Sequence, residues 1–558
     1  MRTPALLALC LFFSACEKAA EPASNTAAPA AIVQNALTNT WYRAGHHSVN
    51  NSMMTRANSN HKRGKAKNII LFVGDGMGIS TLTAARIFQG QQQGKSGEEN
   101  SLSFERFPYS GLIKTYNVDA QVPDSAGTMT AIITGAKTDA GVLAVNESVE
   151  RGHCASQKGT ALPSALELAE LAGKSTGIIS TARITHATPA ANYAKSVERN
   201  WESDSDIPKA EQDAGCEDIA LQLIRFKEHF SQRFPGQKTN GIEVILGGGR
   251  RNFLPAQPTL KNDNEPATAS NATTMPSGKT AAATTGVRSD GHNLIKQWQQ
   301  QSPTGQYIST RSELLAADLK EKQQLLGLFN PSHMQFEADR KQGDSTEPSL
   351  AEMTEKAITL LSQNNKGYFL VVEAGRIDHA HHAGNAYRAL SDTVALSDAV
   401  ETAARLSSSD DTLIIVTADH SHVFTMAGYP KRGNPILGKV VSIGSNKPTL
   451  ANDGKPYTTL AYSNGPGAHM ALLDEQDHTN TESRPDLKSI DTEDPNFIQS
   501  SLVPLSSETH GGEDVAIFAS GPGAELVSGS HEQNRIFHIM NYAAALSTKA
   551  KLPAPPTQ

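Results

Sequence analysis

Short runs of apolar, often β-branched residues alternate with helical patterns along the chain from Lys67 onward. Apolar runs without alternating polar positions are typical of strands whose two faces are both buried in a mainly parallel sheet. Between them, segments such as 385–406 carry apolar residues at helical spacing. The pattern predicts an α/β fold, a three-layer αβα sandwich. Its predicted strands are 68–74, 175–181, 242–248, 368–374, 412–418 and 514–520.

Two regions depart from this alternation of strand and helix patterns. Residues 262–286 are rich in Ala, Thr, Asn and Ser, which predicts a flexible surface insertion. Residues 428–504 are rich in Gly, Pro, Asn and Ser, which predicts a separate lobe outside the main sheet. We therefore expect one large α/β domain over 41–548 that contains both regions, followed by a tail over 549–558.

The first sixteen residues, MRTPALLALCLFFSAC, have the features of an export signal. Arg2 precedes an apolar stretch and then small residues, which predicts a secretory signal peptide over 1–15. The ending FSAC resembles a bacterial lipobox, in which Cys16 is lipidated, although Phe13 stands where Leu is usual. The alternative is an ordinary cleaved signal. Residues 16–40 are Ala/Pro-rich like a tether, so we expect a periplasmic lipoprotein anchored to the outer membrane.

Composition narrows the function classes. The 558 residues include 50 Lys+Arg and 57 Asp+Glu, a net charge of −7, with 38% hydrophobic and 19% charged residues. These values suit a globular protein and argue against a bulk basic surface for nucleic acid. If the chain is exported as a lipoprotein, Cys10 of the four cysteines is removed with the signal and Cys16 is acylated. Cys154 and Cys216 are then the remaining candidates for a disulfide after export.

Acids and histidines cluster beside the predicted strands. They are Asp75 in GDGMG, Glu373, Asp378, His379, His381 and His382 in VVEAGRIDHAHHAG, Asp419 and His420 in TADHSH, and His510 in ETHGGED. Ligands of open α/β sheets bind beyond the carboxyl ends of the strands. Each acid alone is explained by a turn or a helix cap. Their coincidence predicts a metal site, with mixed Asp and His ligands for Zn²⁺ and carboxylate with hydroxyl ligands for Mg²⁺.

A serine precedes a predicted helix in VPDSAGTMTAIITGAK. Ser125 follows Asp124, and the helix is expected from about Ala126. Free N–H groups and the helix dipole favour negative charge at this position. The alternative is a plain Ser cap. Beside a two-metal site, a bound cation can hold the hydroxyl as an alkoxide nucleophile.

Together these segments resemble the alkaline phosphatase family, and its animal-type branch more than its enteric bacterial one. The matching stretches extend over most of the chain from Asn68 to about Ala543. They are NIILFVGDGMGISTLTAARI, VPDSAGTMTAIITGAK, THATPAANYAKSVERNWESDSDIP, VILGGGRRNF, VVEAGRIDHAHHAGNAYRAL, TADHSHVFTMAGYP and ETHGGEDVAIFASGP. The number and order of these motifs make a chance match negligible.

The resemblance implies a role for each matching position. One Zn²⁺ would be held by Asp378, His382 and His510, a second Zn²⁺ by Asp75, Asp419, His420 and Ser125, and Mg²⁺ by Asp75, Thr188 and Glu373. Arg199 matches the phosphate-clamping arginine, and His186 and His379 match positions near the phosphate and Mg²⁺. His381 and His422 match no ligand, so they are either supporting or solvated. The resemblance also implies a Cys154–Cys216 disulfide and a homodimer whose crown is the lobe 428–504.

The implied activity is hydrolysis of phosphate monoesters through a phosphoserine on Ser125. A sulfatase is disfavoured because Ser125-Ala126-Gly127 lacks the required proline, and a phosphodiesterase is disfavoured by Arg199. A non-catalytic metal-binding lipoprotein is disfavoured because a structural metal site needs neither a serine at a helix start, such as Ser125, nor an arginine clamp, such as Arg199. The animal-type calcium site is doubtful, because Asn330 stands where an acid is expected, although Glu347 could contribute.

Overall fold

The computed structural model describes residues 66–256, 286–320, 324–468 and 484–550. The predicted signal peptide 1–15, the tether 16–40 with Cys16, and the insertion 262–286 apart from its last residue lie outside the described residues. Of the predicted tail, Lys549 still belongs to a helix, and the part beyond 550 is not described. Within the described ranges, no helix combines the length and hydropathy of a membrane span.

A ten-stranded sheet forms the centre of the fold. The strands of the described residues are β1 (Asn68–Gly74), β2 (Tyr109–Lys114), β3 (Ser175–Arg183), β4 (Val244–Gly248), β5 (Gln306–Ile308), β6 (Leu325–Leu328), β7 (Tyr368–Ala374), β8 (Thr412–Ala418), β9 (Ser421–His422), β10 (Phe424–Met426), β11 (Leu460–Gly465), β12 (Ser501–Pro504), β13 (His510–Gly511), β14 (Val515–Ser520) and β15 (Gly529–Glu532). The order in the main sheet is β15-β2-β14-β8-β1-β7-β3-β4-β6-β5. Only β14 runs antiparallel to its neighbours there. The predicted mainly parallel α/β sheet is confirmed.

The helices pack in two sets against this sheet. They are α1 (Ile79–Gln92), α2 (Ser125–Thr134), α3 (Ala165–Leu171), α4 (Ala187–Ala190), α5 (Lys209–Asp213), α6 (Ile219–Ile224), α7 (Phe226–Arg233), α8 (Leu294–Gln301), α9 (Arg311–Ala316), α10 (Glu337–Gln342), α11 (Leu350–Leu361), α12 (Arg376–His382), α13 (Ala386–Leu406), α14 (Arg535–Ala544) and α15 (Leu546–Lys549). One set contains α1, α10, α11, α12 and α13, and the other α2, α3, α14 and α15. Members of both sets contact β3 and β7, and all residues of β7 are buried, so the sets cover opposite faces, as a three-layer αβα sandwich requires.

The register of three central strands positions the site. Strand β1 lies between β7 and β8, and Gly74 pairs with both Ala374 and Ala418. All three strands therefore end at the same level, although their sequences are far apart. The residues that follow, including Asp75 and Asp419, leave the sheet at one edge.

The predicted strand bounds are largely right. Strands β1, β7 and β8 have the predicted residues, β3 extends two residues further, β4 begins two residues later, and β14 one residue later. Four strands of the main sheet were not predicted: β2, β5, β6 and β15. Three of these, β5, β6 and β15, are only three or four residues long, which is too short for a periodic pattern to be recognised.

The lobe predicted over 428–504 has its own small sheet. In its described part, strands β11 and β12 join β10 in a three-stranded sheet and contribute nothing to the main sheet. A further pair, β9 with β13, aligns His422 with His510. This pairing gives His510 a fixed position, where the sequence suggested only a loop.

Candidate active site

Ser125 is the first residue of α2 and not its cap. The N-cap is Asp124, whose carboxylate accepts a hydrogen bond from the Gly127 N–H at 3.0 Å. The helix therefore begins one residue before the predicted Ala126. Because Asp124 caps the helix through the Gly127 N–H, the Ser125 hydroxyl is left for other contacts. It lies 3.0 Å from His420 Nε2 and 3.5 Å from Asp75 Oδ1.

A first group of donor atoms surrounds this hydroxyl. His420 Nε2 lies 3.3 Å from Asp75 Oδ1 and 3.4 Å from Asp419 Oδ2. The other oxygen of Asp419 is held by the Gly76 N–H at 3.1 Å. The three side chains are fully buried, and their donor atoms are close enough to share one ion. Two carboxylates and an imidazole around a serine oxygen are a donor set that suits Zn²⁺.

A second group lies around Asp378. His382 Nδ1 and His510 Nδ1 each face a carbonyl oxygen, at 2.6 Å from Glu508 O and 2.8 Å from Pro123 O. Because a carbonyl only accepts, each Nδ1 carries a proton, and in the neutral form of the ring each Nε2 then presents a lone pair. These two Nε2 atoms are 3.2 Å apart, and each lies 3.3 Å from Asp378 Oδ1. Three acceptors that converge without a proton between them fit a cation.

A third group contains polar atoms without hydrogen-bond partners. Asp75 Oδ2, Glu373 Oε1, Thr188 Oγ1 and His186 Nδ1 are buried and make no hydrogen bond within the described residues. Donor atoms of Asp75, His186 and Glu373 also lie close enough to hold one ion. Buried polar atoms are normally paired, so these oxygens fit a third metal. Carboxylates with a hydroxyl are the ligands that Mg²⁺ prefers.

Electrostatics support the same conclusion. Burial and the charge of Asp419 raise the pKa of Asp75 well above its ordinary value. Burial raises the pKa of Glu373 to about 8, and burial with the charge of Asp378 raises the pKa of Asp419 to about 6. Burial also opposes ionisation of Asp378, but His382 and its neighbouring imidazoles hold that pKa well below the usual range. Crowded buried carboxylates of this kind are stabilised in their charged form by bound cations.

Arg199 is fixed beside the nucleophile by two partners. Its Nη1 donates to Asp124 Oδ2 at 2.8 Å, and its Nη2 lies 3.3 Å from His186 Nε2. Asp124 also accepts from Asn117 Nδ2 and the Gly141 N–H, both at 3.0 Å. The same carboxylate thus caps the helix of Ser125 and orients Arg199, which couples the nucleophile to the guanidinium.

The remaining predicted residues lie around these groups. His379 Nδ1 is 2.8 Å from Gly375 O, and burial with the charge of Arg376 lowers the pKa of His379 to about 3. His381 is buried between Thr81 Oγ1 at 3.0 Å and the Tyr462 hydroxyl at 2.8 Å. It is therefore a supporting residue and not a solvated one.

Glu347, the residue that could contribute to a calcium site, accepts two hydrogen bonds. Glu347 accepts from Asn330 Nδ2 at 2.6 Å and from the Gln335 N–H at 2.7 Å. Among the described residues, Glu347 is in no group of acids or imidazoles that could share an ion. An amide donor therefore lies where the resemblance would require a second acid.

Two contacts of the site were missed by reasoning from sequence. Asp124 was noted only as the neighbour of Ser125, and its bond to Arg199 spans 75 positions. His422, left open as supporting or solvated, is 3% exposed and lies 2.8 Å from Asp378 Oδ1. The DS pair before a helix was the available signal for Asp124, and the second histidine of ADHSH was the signal for His422.

The implied disulfide is present. Cys154 and Cys216 are bonded, with Cα atoms 5.7 Å apart and a sequence separation of 62. Cys216 packs against a small hydrophobic cluster that includes Val142, Val145 and Trp201. This cluster is separate from the main core, so the disulfide stabilises a part of the chain with little apolar packing of its own.

Comparisons with known proteins agree with the geometry. A family model described as alkaline phosphatase matches residues 66–546. The tissue-nonspecific alkaline phosphatase of Gallus gallus is 45% identical over 86% of this chain and 85% of its own, and that of Homo sapiens is 43% identical over 86% and 84%. The Thermus thermophilus alkaline phosphatase structure, at 23% identity, covers 87% of this chain and 93% of its own with a TM-score of 0.56. A variant of the TAB5 enzyme solved with Mg bound, at 22% identity, covers 87% and 99% with a TM-score of 0.55.

Proposed function

Since this chain belongs to the alkaline phosphatase family and is a phosphomonoesterase, we propose that it acts through a phosphoserine on Ser125, with two Zn²⁺ and one Mg²⁺ bound. The observation that carries the proposal is the convergence on the Ser125 hydroxyl of His420 Nε2 at 3.0 Å and Asp75 Oδ1 at 3.5 Å. Ser125 is not the helix cap, since Asp124 has that position. Arg199, held nearby by Asp124, supplies the positive charge that a phosphate dianion requires.

The donor groups support three metal positions. One Zn²⁺ would be held by Asp378, His382 and His510, the other by Asp75, Asp419, His420 and Ser125, and Mg²⁺ by Asp75, Thr188 and Glu373. When bound, these ions supply Lewis-acid stabilisation of the serine oxygen and of the leaving oxygen. The unpartnered oxygens of Asp75, Glu373 and Thr188 support the assignment of the third position.

The chain's own residues carry the substrate steps. Deprotonated Ser125 Oγ attacks phosphorus in line, so that the Oγ–P bond forms while the ester P–O bond breaks and the alcohol leaves with a proton from solvent. The Arg199 guanidinium binds two non-bridging phosphate oxygens with its planar fork. Water then attacks the phosphoserine, which regenerates Ser125 and releases inorganic phosphate.

The test compares p-nitrophenyl phosphate with bis-p-nitrophenyl phosphate for the parent enzyme and for Ser125→Ala. We expect a preference for the monoester, loss of activity with a chelator, and recovery with Zn²⁺ and Mg²⁺. Ser125→Ala should lower kcat by at least about 10³-fold, as removal of a nucleophile does. The matched control is Ser349→Ala, which removes the N-cap of α11 and no site residue.

The outcomes separate the alternatives. A faster reaction with the diester would favour a phosphodiesterase, and metal binding without turnover would favour a non-catalytic metal-binding lipoprotein. Activity that survives both chelation and Ser125→Ala would refute the phosphoserine mechanism.

We also propose that the protein is exported to the periplasm, anchored by a lipid on Cys16, and dimeric. The support is the sequence MRTPALLALCLFFSAC for export and the family resemblance for the homodimer. The lipid anchor predicts partitioning into a detergent phase that is lost in Cys16→Ser. Light scattering behind size exclusion tests the dimer, and a mass of one chain, 59.5 kDa before processing, would contradict it.

A further inference from the structure

Glu508 contacts two imidazoles of the site with two different parts of the residue. Its backbone oxygen accepts from His382 Nδ1 at 2.6 Å, and its backbone N–H donates to His382 O at 3.0 Å. Its side-chain Oε2 lies 2.5 Å from His422 Nδ1, and Oε1 accepts from the Val423 N–H at 2.8 Å. The residue is 1% exposed, so solvent does not compete for these bonds.

His422 continues this chain of contacts to Asp378. Its Nε2 lies 2.8 Å from Asp378 Oδ1, the same oxygen that faces His382 and His510. Because each ring nitrogen of His422 faces a carboxylate, which only accepts, both nitrogens donate. The ring is also confined by Gly76, where an added Cβ would lie 2.4 Å from it. Two carboxylates and the packing therefore fix the imidazole in one orientation.

We propose that Glu508 is a positioning residue for the metal site formed by Asp378, His382 and His510, an inference that rests on the proposed function. It orients His382 through its backbone and Asp378 through His422. Two of the three proposed donor groups thus depend on one buried residue that is not itself one of the three. Hydrogen-bonded partners of ligands orient them, and losing such a partner typically costs about 10- to 100-fold in metal affinity.

The carboxylate of Glu508 cannot be replaced by an amide without loss of a hydrogen bond. A carboxylate offers an acceptor to His422 Nδ1 and another to the Val423 N–H, whereas Gln offers one acceptor and an NH₂ group. Glu508→Gln therefore leaves one of these two buried donors without an acceptor. We expect His422 to lose its fixed orientation and Asp378 to lose its hydrogen-bond donor, while the backbone contact with His382 remains.

The test is Zn²⁺ titration of the metal-depleted, full-length protein against a chromophoric chelator, which measures affinity without activity. For Glu508→Gln we expect one of the two Zn²⁺ to bind about 10- to 100-fold more weakly and the other to bind as in the parent. The matched control is Glu243→Gln. Glu243 is another buried glutamate and accepts from the Thr176 N–H at 2.7 Å and Ser175 Oγ at 3.1 Å, at the opposite end of β3.

A double-mutant cycle tests the route through His422. If Glu508 acts through this ring, His422→Gln should weaken the same Zn²⁺ by a similar factor, and the double variant should be no weaker than His422→Gln alone. Thermal unfolding in chelator verifies that each variant folds. If Glu508→Gln does not fold, the His422→Gln variant alone tests the proposal. An unchanged Zn²⁺ affinity of His422→Gln would then overturn it.

The result distinguishes this proposal from the proposed function. If the parent protein binds no Zn²⁺, the proposed function fails. If the parent binds two Zn²⁺ and Glu508→Gln binds both equally well, only the role of Glu508 is refuted. An equal loss of affinity in Glu243→Gln would also refute it, since the effect would then reflect general destabilisation.

Discussion

Asp124→Asn tests whether one carboxylate couples the nucleophile's helix to the phosphate-binding arginine. Asp124 Oδ1 accepts from Asn117 Nδ2 and the Gly127 N–H, and Oδ2 accepts from the Gly141 N–H and Arg199 Nη1, all at 2.8–3.0 Å. The amide of Asn has one oxygen. Whichever way it is turned, two donors face an NH₂ group.

The expected magnitudes follow from these bonds. A hydrogen bond to a charged group contributes about 1.5–3 kcal/mol, and an unsatisfied buried N–H costs about 1–3 kcal/mol. We therefore expect Asp124→Asn to lower the free energy of unfolding by about 2–4 kcal/mol. Even when the amide oxygen of Asn faces Arg199, the guanidinium has lost its charged partner, so ordering it on phosphate costs about 0.5–1.5 kcal/mol more, which is about a two- to tenfold loss of affinity.

The assay is the inhibition constant of inorganic phosphate against p-nitrophenyl phosphate, with denaturant unfolding measured in parallel. Asp218→Asn is the matched control. Asp218 is also an N-cap, accepting from the Leu221 N–H, and it pairs with Arg288 at 2.9 Å. It should lose comparable stability without a change in phosphate affinity. Unchanged phosphate inhibition in Asp124→Asn, or an equal change in the control, would refute the coupling.

Three further results are expected. Arg199→Lys replaces the planar guanidinium, which can bind two phosphate oxygens, by a point charge, and should lower kcat/KM about 10- to 100-fold. A kcat/KM equal to that of the parent would exclude bidentate binding. Glu167 is fully buried against Lys195 at 3.0 Å, so Glu167→Gln should cost about 3–5 kcal/mol at neutral pH. Burial raises the pKa of Glu167, but the charge of Lys195, together with the other contacts of the carboxylate, outweighs burial and holds this pKa below its ordinary 4.5. The stability that ionised Glu167 contributes is therefore present above that pH and is lost as the pH falls through the pKa of the folded state. The denaturant midpoints of the parent and of Glu167→Gln should converge on acidification. Removing the Cys154–Cys216 disulfide, which joins residues 62 apart, should cost about 4 kcal/mol in unfolding experiments with little change in kcat.

The local sequence was sufficient to predict those site residues that come directly after a buried strand. Strands β1 and β8 are continuous apolar runs that stop at Gly74 and Ala418, and an acid follows each. A side chain at such a boundary must leave the sheet at its carboxyl edge, whatever the neighbouring strands are. The mainly parallel sheet and the cluster of Asp75 and Asp419 could therefore be inferred without knowing the strand order.

The helix start at Ser125 shows the limit of local patterns. A serine before a helix can cap it or project from its first turn, and both have the same sequence. The choice was made by Asp124, which accepts from the Gly127 N–H and from Arg199, a residue 75 positions away. The local bond to Gly127 makes Asp124 the cap, and the contacts of the Ser125 hydroxyl with Asp75 and His420, 50 and 295 positions away, show that this serine belongs to the site.

The sequence alone therefore determined six of the ten strands of the main sheet, that the sheet is mainly parallel, and which acids and imidazoles lie at its edge. The tertiary structure decided how they group: Gly74 aligns with Ala374 and Ala418, and His510 is placed by a bond to Pro123 O across 387 positions. It also decided that Glu508, which the ETHGGED motif contains but gives no role, touches two imidazoles at once. The physical reason is that burial periodicity is encoded in neighbouring residues, whereas donor geometry depends on the register of strands distant in sequence.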